Sequence, residues 1–268
     1  MTPTRVAILG AGGRMGSTLV RCTAKVDGVE LGVALETAGH PTVGRDAGIV
    51  AQIGDLGVGV TADRARLADA DALIDFTFHT AIPENVASAL DHGAALVIGT
   101  TGLTPDEEQI VHHAAKQIPI VWAPNMSLGV NVLFELVRRG AQALGLDYDV
   151  EIVETHHRHK KDAPSGTALG IARHIAEGRE QDLDAVACYG REGETGERPK
   201  GQIGIHALRS GDIVGDHIAT FSDAGEQLIL GHRATSRDTF ALGALKAARW
   251  AHSQAAGLYS MRDVLGLS

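Results

Sequence analysis

The chain has 268 residues, of which 44% are hydrophobic and 21% are charged, a composition typical of a globular protein with one large domain or two modest ones. Its formal net charge of −9 argues against nonspecific nucleic-acid binding, which requires a basic surface. The two cysteines have no CxxC spacing, and we find neither a signal-peptide pattern nor an apolar run of about 18 residues, so we expect a cytoplasmic protein that does not enter a membrane.

The first half of the chain alternates between strand and helix patterns. Helices are predicted over residues 16–26 and 83–92, and a third is expected to start at Pro105 with Thr104 as its N-cap. Residues 39–68 give a weaker pattern, with a short edge strand expected at 57–61. The buried-strand runs are RVAILG, VELGVALE, DALIDF, ALVIGTTG and PIVWAPN. This alternation predicts an α/β fold with right-handed crossovers and a parallel sheet.

The pattern changes near Asn125. Helices are predicted over residues 130–144, 167–177 and 238–255, the last with Ser236 or Asp238 near its start. The run DVEIVETHH reads as a strand, and the segment GQIGIHALRSGDIVGDHIATFSDAGEQLILGHRA reads as a mostly antiparallel meander. We therefore expect a second, α+β domain with a mixed, largely antiparallel sheet.

A glycine loop follows the first strand in VAILGAGGRMG. Gly10, Gly12 and Gly13 allow a tight turn and close backbone approach, and the helix that follows offers free N–H groups to a pyrophosphate. Glu36, at the end of the second strand, can accept hydrogen bonds from ribose hydroxyls. A glycine-rich turn without a ligand is the alternative. Because Thr37 stands where an arginine would favour a 2′-phosphate, we expect NADH to be used at least as well as NADPH, although Arg14 could partly serve a phosphate.

Two further loops leave strands of the predicted parallel sheet. GTTG (residues 99–102) and APNMSLGVN (residues 123–131) both lie at the carboxyl edge, where open α/β sheets bind ligands. Either could be an ordinary turn, but three such loops on one edge favour a cleft.

The stretch HHRHKKDAPSGTA, which begins at His156, holds three histidines and two lysines in six residues. A metal site is one interpretation, but the intervening cations would repel a dication. A solvated basic loop is another. The third is a site for an anionic substrate, with a His or Lys as proton donor and the helix start P-S-G-T as a carboxylate pocket. Combined with a nicotinamide cofactor, the third interpretation indicates hydride transfer to a small carboxylated acceptor.

These motifs together resemble the dihydrodipicolinate reductase (4-hydroxy-tetrahydrodipicolinate reductase) family. The resemblance runs from Arg5 to the terminal MRDVLGL and also includes REGETGER and RSGDIVGDH. It implies a Rossmann-like dinucleotide-binding domain of residues 1–126 plus 238–268 and a substrate-binding and tetramerisation domain of residues 127–237. It also implies a homotetramer joined through the sheet of the second domain, and an NADH- or NADPH-dependent reduction of a cyclic dicarboxylate imine in lysine and diaminopimelate biosynthesis.

The resemblance assigns roles to individual residues. His156 would be the catalytic proton donor and Lys160 a second donor, with a bend after the strand because His156 and His157 are both used. The cofactor pyrophosphate would lie on Gly10, Ala11, Gly12, Gly13, Arg14 and Met15, with Glu36 and Thr37 at the adenosine ribose. The nicotinamide side would be lined by Gly99, Thr100, Thr101, Ala123, Pro124, Asn125 and Met126. The substrate would be held by His157, Lys160, Ser165, Gly166 and Thr167. No metal is implied.

Two residues depart from the family pattern. Thr37 stands where members that prefer NADPH often carry arginine, and Met126 stands where an aromatic residue is common. Competing hypotheses are another two-domain dehydrogenase of the aspartate pathway, a non-catalytic NADH-binding regulator and a metal hydrolase.

Overall fold

The computed structural model describes residues 2–267, and the chain divides into two compact units. The first unit is Met1–Leu128 with Asp238–Ser268, and the second is Gly129–Arg237. The strands are β1 (Thr4–Leu9), β2 (Val29–Leu35), β3 (Val60–Thr61), β4 (Ala72–Asp75), β5 (Ala95–Ile98), β6 (Pro119–Trp122), β7 (Asp149–His156), β8 (Ala187–Cys188), β9 (Ile203–Arg209), β10 (Gly215–Asp223), β11 (Glu226–Ala234) and β12 (Gly257–Tyr259).

The long helices predicted from apolar periodicity are present, with some differences in their ends. They are α1 (Arg14–Thr23), α2 (Ala47–Val50), α3 (Ile82–His92), α4 (Pro105–Ala114), α5 (Leu128–Leu144), α6 (Gly166–Gly178), α7 (Leu183–Val186), α8 (Asp238–Ala251) and α9 (Met261–Leu265). Short 3-10 helices span Arg64–Asp69 and His79–Ala81. The N-cap predicted at Thr104 is present and forms a capping box, since the Thr104 hydroxyl accepts from Glu107 N–H and the Glu107 carboxylate accepts from Thr104 N–H.

The first unit contains the Rossmann-like parallel sheet that the alternation predicted. Within residues 2–267, its seven strands lie in the order β12-β6-β5-β4-β1-β2-β3, and the pairs are parallel. Alternate residues of β1 face opposite layers: Val6 and Ile8 pack with α1 and α8, whereas Ala7 and Leu9 pack with α3 and α4. Central strands covered on both faces explain the nearly continuous apolar runs in the sequence.

Several predicted boundaries in this unit were wrong. α1 begins at Arg14, two residues before the predicted start, because Gly13 already has the extended backbone of an N-cap. It ends at Thr23 rather than at residue 26, since Lys25 and Val26 donate to Cys22 and Thr23 in a terminal turn. The last long helix stops at Ala251 rather than at residue 255, and β12 and α9 follow it without having been predicted.

The second unit contains a mixed sheet with the strand order β11-β10-β7-β9-β8. The mixed sheet is confirmed, but the meander is wrong between β9 and β10, because β7 lies between them. β7 pairs in parallel with β9 and antiparallel with β10. Residues 210–214 therefore cross the end of β7, where Ser210 N–H donates to the His156 carbonyl and His157 N–H donates to the Ile213 carbonyl.

One face of this second sheet is covered by α5 and α6. Val150 and Ile152 of β7 pack there with Phe221 of β10 in a core that includes Val137 and Ile171. The side chains on the other face include exposed apolar residues. In the part of the chain that the structure describes, no helix has the length and apolarity needed to cross a membrane.

Candidate functional site

The glycine loop of the first unit lies between β1 and α1. Gly10 has φ +71°, a conformation that favours glycine, and its carbonyl accepts from Gly13 N–H in a tight turn. Gly13 is the N-cap of α1 and has no side chain to cap the helix. The first N–H groups of α1 are therefore open to an anion at the predicted position.

Glu36 closes this loop from the end of β2. One carboxylate oxygen accepts from Gly12 N–H over 3.0 Å and the other accepts from Thr37 N–H over 2.9 Å. A side chain at position 12 would collide with His40 and Thr42, whose nearest atoms lie 2.6 and 2.5 Å from a Cβ built there. Gly12 and Glu36 are therefore brought together as the sequence predicted.

A cavity of about 690 Å³ opens beside this loop. Its lining includes Gly10, Gly13, Glu36 and Thr37. The remaining lining residues come mainly from the ends of β2 and β4 and from the segments that follow them: Leu9, Leu35, Ala38, His40, Ala62, Arg64, Phe76, Thr77, Phe78, Thr80, Ala81, Glu84 and Asn85. An uncapped helix start, a glycine cradle and a carboxylate around a cavity of this size fit a dinucleotide.

The loop of Gly99, Thr100 and Thr101 lies at the end of β5. The Thr100 hydroxyl donates to Asp75 Oδ1 over 2.8 Å and is buried, so its side chain is occupied within the protein. Thr101 is exposed, and Gly99 lies against the Phe76 ring, with a Cβ built at position 99 coming too close to that ring for any side chain. This loop can therefore offer backbone groups and the Thr101 side chain.

Asp75 is a residue that the sequence reasoning missed. It is fully buried and also accepts from Thr77 N–H and Asn85 Nδ2, both over 2.8 Å. Asp75 thus joins the end of β4 to α3 through Asn85 and to the end of β5 through Thr100. An acid ending the run DALID was the available signal, because buried carboxylates require several donors.

The loop after β6 carries the predicted residues Ala123, Pro124, Asn125 and Met126. Ala123 and Met126 are buried in the core beneath α8, and Asn125 Oδ1 accepts from Ser127 N–H over 2.8 Å. Pro124 is exposed. Met126 is therefore a core-packing residue.

In the second unit, β7 places Glu154 and His156 on one face. Glu154 is fully buried, and its Oε2 atom lies 2.6 Å from His156 Nδ1. Residues two apart on a strand point to the same side, so the segment V-E-T-H brings the two together. The strand ends at His156, and a turn follows in which Lys160 N–H donates to the His157 carbonyl. This is the bend that was expected after the strand.

Neighbouring strands add two residues to this pair. Arg209 of β9 is in register with His156, and its guanidinium donates to both Glu154 oxygens over 2.9 and 3.1 Å. His217 of β10 is in register with Glu154, and its ring centroid lies 5.1 Å from that of His156. Both residues lie in the segment RSGDIVGDH, but no local pattern there predicts a role for either, since strand order decides which side chains face β7.

The start of α6 lies beside these rings. Ser165 is the N-cap: its hydroxyl accepts from Ala168 N–H over 3.1 Å and lies 3.0 Å from His217 Nε2, and its own N–H donates to Glu154. The polar groups of Ser165 are thus used inside the unit. Gly166 is exposed and Thr167 is half-buried at the first turn, where a helix N-terminus attracts an anion.

The histidines and lysines of the motif take up different environments. Lys160 Nζ forms an ion pair of 3.0 Å with the Asp162 carboxylate. The backbone carbonyl of Asp162 accepts a hydrogen bond from Arg209. Burial, followed by the charge of Arg237, lowers the pKa of His157. Burial, followed by the charge of His156, lowers the pKa of His217 to about 4. His217 is therefore neutral near pH 7.

This arrangement can hold and move a proton beside a helix start. His156 is oriented by a buried carboxylate, which is the pattern of a proton-transfer histidine. Among residues 2–267, no group of three or more His, Cys, Asp or Glu side chains is placed to hold a metal ion.

Two family models together cover nearly the whole chain. Residues 4–126 match the model described as dihydrodipicolinate reductase, N-terminus, and residues 129–265 match the one described as dihydrodipicolinate reductase, C-terminus.

Individual proteins are similar over the same span. The 4-hydroxy-tetrahydrodipicolinate reductase of Magnetococcus marinus is 51% identical over 263 residues, covering 98% of each chain. That of Nitrosomonas europaea is 48% identical over 268 residues, covering 100% of each. Among solved structures, a dipicolinate-bound dihydrodipicolinate reductase from Paenisporosarcina sp. TG-14 has a TM-score of 0.75 at 24% identity, covering 97% of this chain and 98% of the other. That likeness supports the fold.

Proposed function

The chain belongs to the dihydrodipicolinate reductase family, and on this premise we propose how its residues carry out the family's reaction. It is an NAD(P)H-dependent oxidoreductase that reduces 4-hydroxy-tetrahydrodipicolinate, through dihydrodipicolinate, to tetrahydrodipicolinate in lysine and diaminopimelate biosynthesis. The observation that carries the residue assignment is the buried Glu154–His156 pair beside the start of α6.

The first unit is the proposed dinucleotide-binding domain. Its loop from Gly10 to Met15 would hold the pyrophosphate against the first turn of α1, and Glu36 would exchange its bonds to Gly12 and Thr37 for bonds to ribose hydroxyls. Gly99, Thr101 and Pro124 would line the nicotinamide side. When bound, the cofactor supplies a hydride from C4 of the nicotinamide.

The second unit is the proposed substrate-binding domain. The substrate is a ring with two carboxylates, and the N–H groups of Gly166 and Thr167 at the start of α6 suit one of them. Lys160 would supply positive charge, and His157 a ring N–H donor, from the turn after β7 for the rest of the ring. Clustered donors at a helix start bind a doubly negative ring more tightly than an uncharged one, so we expect the site to prefer dicarboxylate substrates.

His156 is the proposed proton donor. Its Nδ1 atom is bonded to Glu154, so Nε2 is the nitrogen left to deliver a proton to the substrate ring, either directly or through a water that it orients. Lys160 is the second candidate donor. Its ion pair with the exposed Asp162 carboxylate would break when Lys160 turns to the substrate.

Substitution of His156 by Gln tests this role. Gln keeps a polar side chain of similar reach but cannot carry a transferable proton, so kcat should fall by about 10² to 10³-fold while KM changes by only a few-fold. The measurement is the oxidation of NADH and of NADPH with enzymatically generated substrate. Turnover near that of the unsubstituted enzyme would remove His156 from the chemistry.

A homotetramer joined through the second sheet is the proposed assembly. The face of this sheet opposite α5 and α6 carries Leu208, Ile218 and Ile229, whose side chains are 51%, 41% and 60% exposed. Such an apolar face is suited to a second copy of the chain. A cytoplasmic location is also proposed, in line with the reducing compartment that Cys22 and Cys188 favour.

A further inference from the structure

We propose that Glu154 is the positioning residue of the reaction: its carboxylate fixes the proton of the neutral His156 ring on Nδ1 and aims Nε2 at the substrate. This inference rests on the proton-transfer role proposed above for His156. Glu154 itself touches neither substrate nor cofactor in this proposal, and acts through the histidine.

The geometry around Glu154 leaves one hydrogen-bonding pattern. Oε2 accepts from Arg209 Nη1 over 2.9 Å and lies 2.6 Å from His156 Nδ1. Oε1 accepts from Ser165 N–H over 2.9 Å and from Arg209 Nη2 over 3.1 Å. A carboxylate can only accept, so Nδ1 of His156 must be the donor. The carboxylate thereby selects the tautomer with the proton on Nδ1. Nε2 then carries a proton only when it takes one up for transfer to the substrate.

The opposite edge of the His156 ring lies against a glycine. A Cβ built at Gly215 would stand 2.9 Å from His156 Nε2, so any side chain there would press on this nitrogen. The ring has 10% of its side-chain surface exposed, whereas Glu154 has none. Nδ1 is thus the buried anchor of the ring, and Nε2 lies on the side kept open by Gly215.

Glu154 holds its negative charge despite its burial. Burial raises the pKa of this carboxyl, but hydrogen bonds from Arg209, His156 and Ser165 N–H outweigh that effect and hold the pKa below its usual range. Arg209 also donates to the Asp162 carbonyl over 2.6 Å, so the same guanidinium holds the turn that carries Lys160.

The other charged and titratable groups near His156 make this negative charge necessary. His217 faces it from β10, Arg209 from β9, and His157 and Lys160 from the turn after β7. Each is neutral or positive, so the Glu154 carboxylate supplies the negative charge in direct contact with the His156 ring.

Glu154→Gln tests the inference with an isosteric side chain. The amide NH₂ must replace one carboxylate oxygen. At the Oε1 position it would face two fixed donors, Ser165 N–H and Arg209 Nη2. At the Oε2 position it would face one fixed donor, Arg209 Nη1, and a ring that can change tautomer. The second placement costs less, so His156 should move its proton to Nε2.

The readouts are tautomer and turnover in the full-length enzyme. Long-range ¹H–¹⁵N spectra of ¹⁵N-histidine-labelled protein, with the His156 signals assigned by their loss in His156→Gln, should show a protonated Nδ1 in the unsubstituted enzyme and a protonated Nε2 in Glu154→Gln. We expect kcat to fall by about 10²-fold with KM for the substrate within about threefold. Glu154→Asp, which keeps the charge, should recover part of this loss.

Glu151→Gln is the matched control. Glu151 lies on the same strand but on the opposite face, and it is bonded by two arginines and a histidine: Arg191, Arg198 and His206. The Glu151→Gln variant should lose a comparable number of ion pairs and leave both kcat and the His156 tautomer unchanged. The oligomeric state of Glu151→Gln and of Glu154→Gln is checked by light scattering.

Two results would overturn the inference: a His156 ring still protonated on Nδ1 in Glu154→Gln, or turnover lost equally in Glu151→Gln. Failure of the proposed function is distinguishable, because it would show as full turnover in His156→Gln. In that case the tautomer measurement alone decides whether Glu154 positions the ring.

Discussion

Thr37 and Glu36 sit side by side at the end of β2, where the ribose of a dinucleotide would lie. Glu36 bonds to the backbone of Gly12 and Thr37, and the Thr37 hydroxyl lies 3.3 Å from the same carboxylate. A carboxylate at this point repels a 2′-phosphate, and a threonine offers it no charge. We therefore expect these two residues to favour NADH.

Thr37→Arg should raise the NADPH-to-NADH ratio of kcat/KM by about tenfold or more, because a guanidinium makes charge-assisted bonds to a 2′-phosphate. Steady-state assays with both cofactors measure the ratio. Thr37→Gln is the control, since it adds length without charge and should leave the ratio within about threefold. An unchanged ratio in Thr37→Arg would contradict this explanation of the preference.

His217 makes stability depend on pH. Its pKa is about 4 in the folded protein, lowered from 6.5 mainly by burial and next by the charge of His156. The unfolded chain therefore takes up a proton as the pH falls through 6.5, whereas the folded chain does so only near pH 4. The contribution of His217 is complete above pH 6.5 and is lost as the pH falls towards 4.

From this we expect His217 to account for a fall of about 2 kcal/mol in the free energy of unfolding between pH 7 and pH 5. Urea denaturation at several pH values should show that fall in the unsubstituted protein and a smaller one in His217→Asn. Comparing the two proteins cancels the contributions of the other titrating groups. Equal slopes in both would show that His217 does not titrate in this window.

At the scale of elements, α1 packs directly onto the loop that precedes it. A Cβ at Gly16 would collide with the Gly10 carbonyl and lie 2.7 Å from Ala11 Cα. These are backbone atoms, which cannot move aside like the end of a side chain. The close contact of α1 with the end of β1 aims the N-terminus of the helix at the cavity.

Gly16→Ala should therefore lower the free energy of unfolding by about 1–3 kcal/mol and weaken cofactor binding. Gly140→Ala is the control, because Gly140 lies within α5 and a Cβ there would meet its neighbours at an ordinary 3.9 Å. Removing a helical glycine without crowding should stabilise the protein by about 0.5–1 kcal/mol. Thermal or urea unfolding measures the free energy of unfolding of both variants. A change in the same direction in both would contradict this prediction.

Some elements could be predicted from local patterns and others could not. The N-cap at Thr104 was predicted because its signal, a threonine followed by a proline and acidic residues, lies within a few residues. β12 was missed because it has three residues, and it is a strand by virtue of pairing with Pro119–Val121. The strand order around β7 was missed for a related reason: its pairing partners lie about 50 to 70 residues away in the chain, and periodicity within a strand carries no information about its neighbour.

At the scale of the whole molecule, the exposed face of the second sheet is the surface that we propose for self-association. Ile218 and Ile229 lie on this face of β10 and β11, with Leu208 on β9. On β7, Thr155 lies opposite Leu208 and Val153 lies opposite Ile218. Burying such a face against a second copy removes apolar surface from water.

Ile218→Asp should shift the enzyme to smaller species, because a charge would be buried in the proposed tetramer interface. Light scattering coupled to size exclusion measures the mass. Leu146→Asp is the control, since Leu146 has nearly the same exposure, 42% against 41%, and lies outside the sheet. An unchanged mass in Ile218→Asp would place the interface elsewhere or exclude it.

The chain also returns to its first unit after completing the second. Ala244, Leu245 and Ala248 of α8 are buried in the core that β1, β4 and β5 share with α1. Apolar periodicity predicted this helix, but its place on the first sheet was implied by family resemblance and not by any local pattern.

By itself, the sequence determined the local features of this protein: the glycine turn after the first strand, the helix that begins within P-S-G-T, and a strand that ends in the histidine motif. Each depends on residues within a few positions of one another, where capping, φ preference and two-residue alternation act directly. Only the tertiary structure decided that Arg209 and His217 meet Glu154 and His156, because residues 210–214 cross the end of β7 and place β9 and β10 on either side of it. Strand order is set by burial and pairing across the whole sheet, and those interactions join residues that are far apart in the chain.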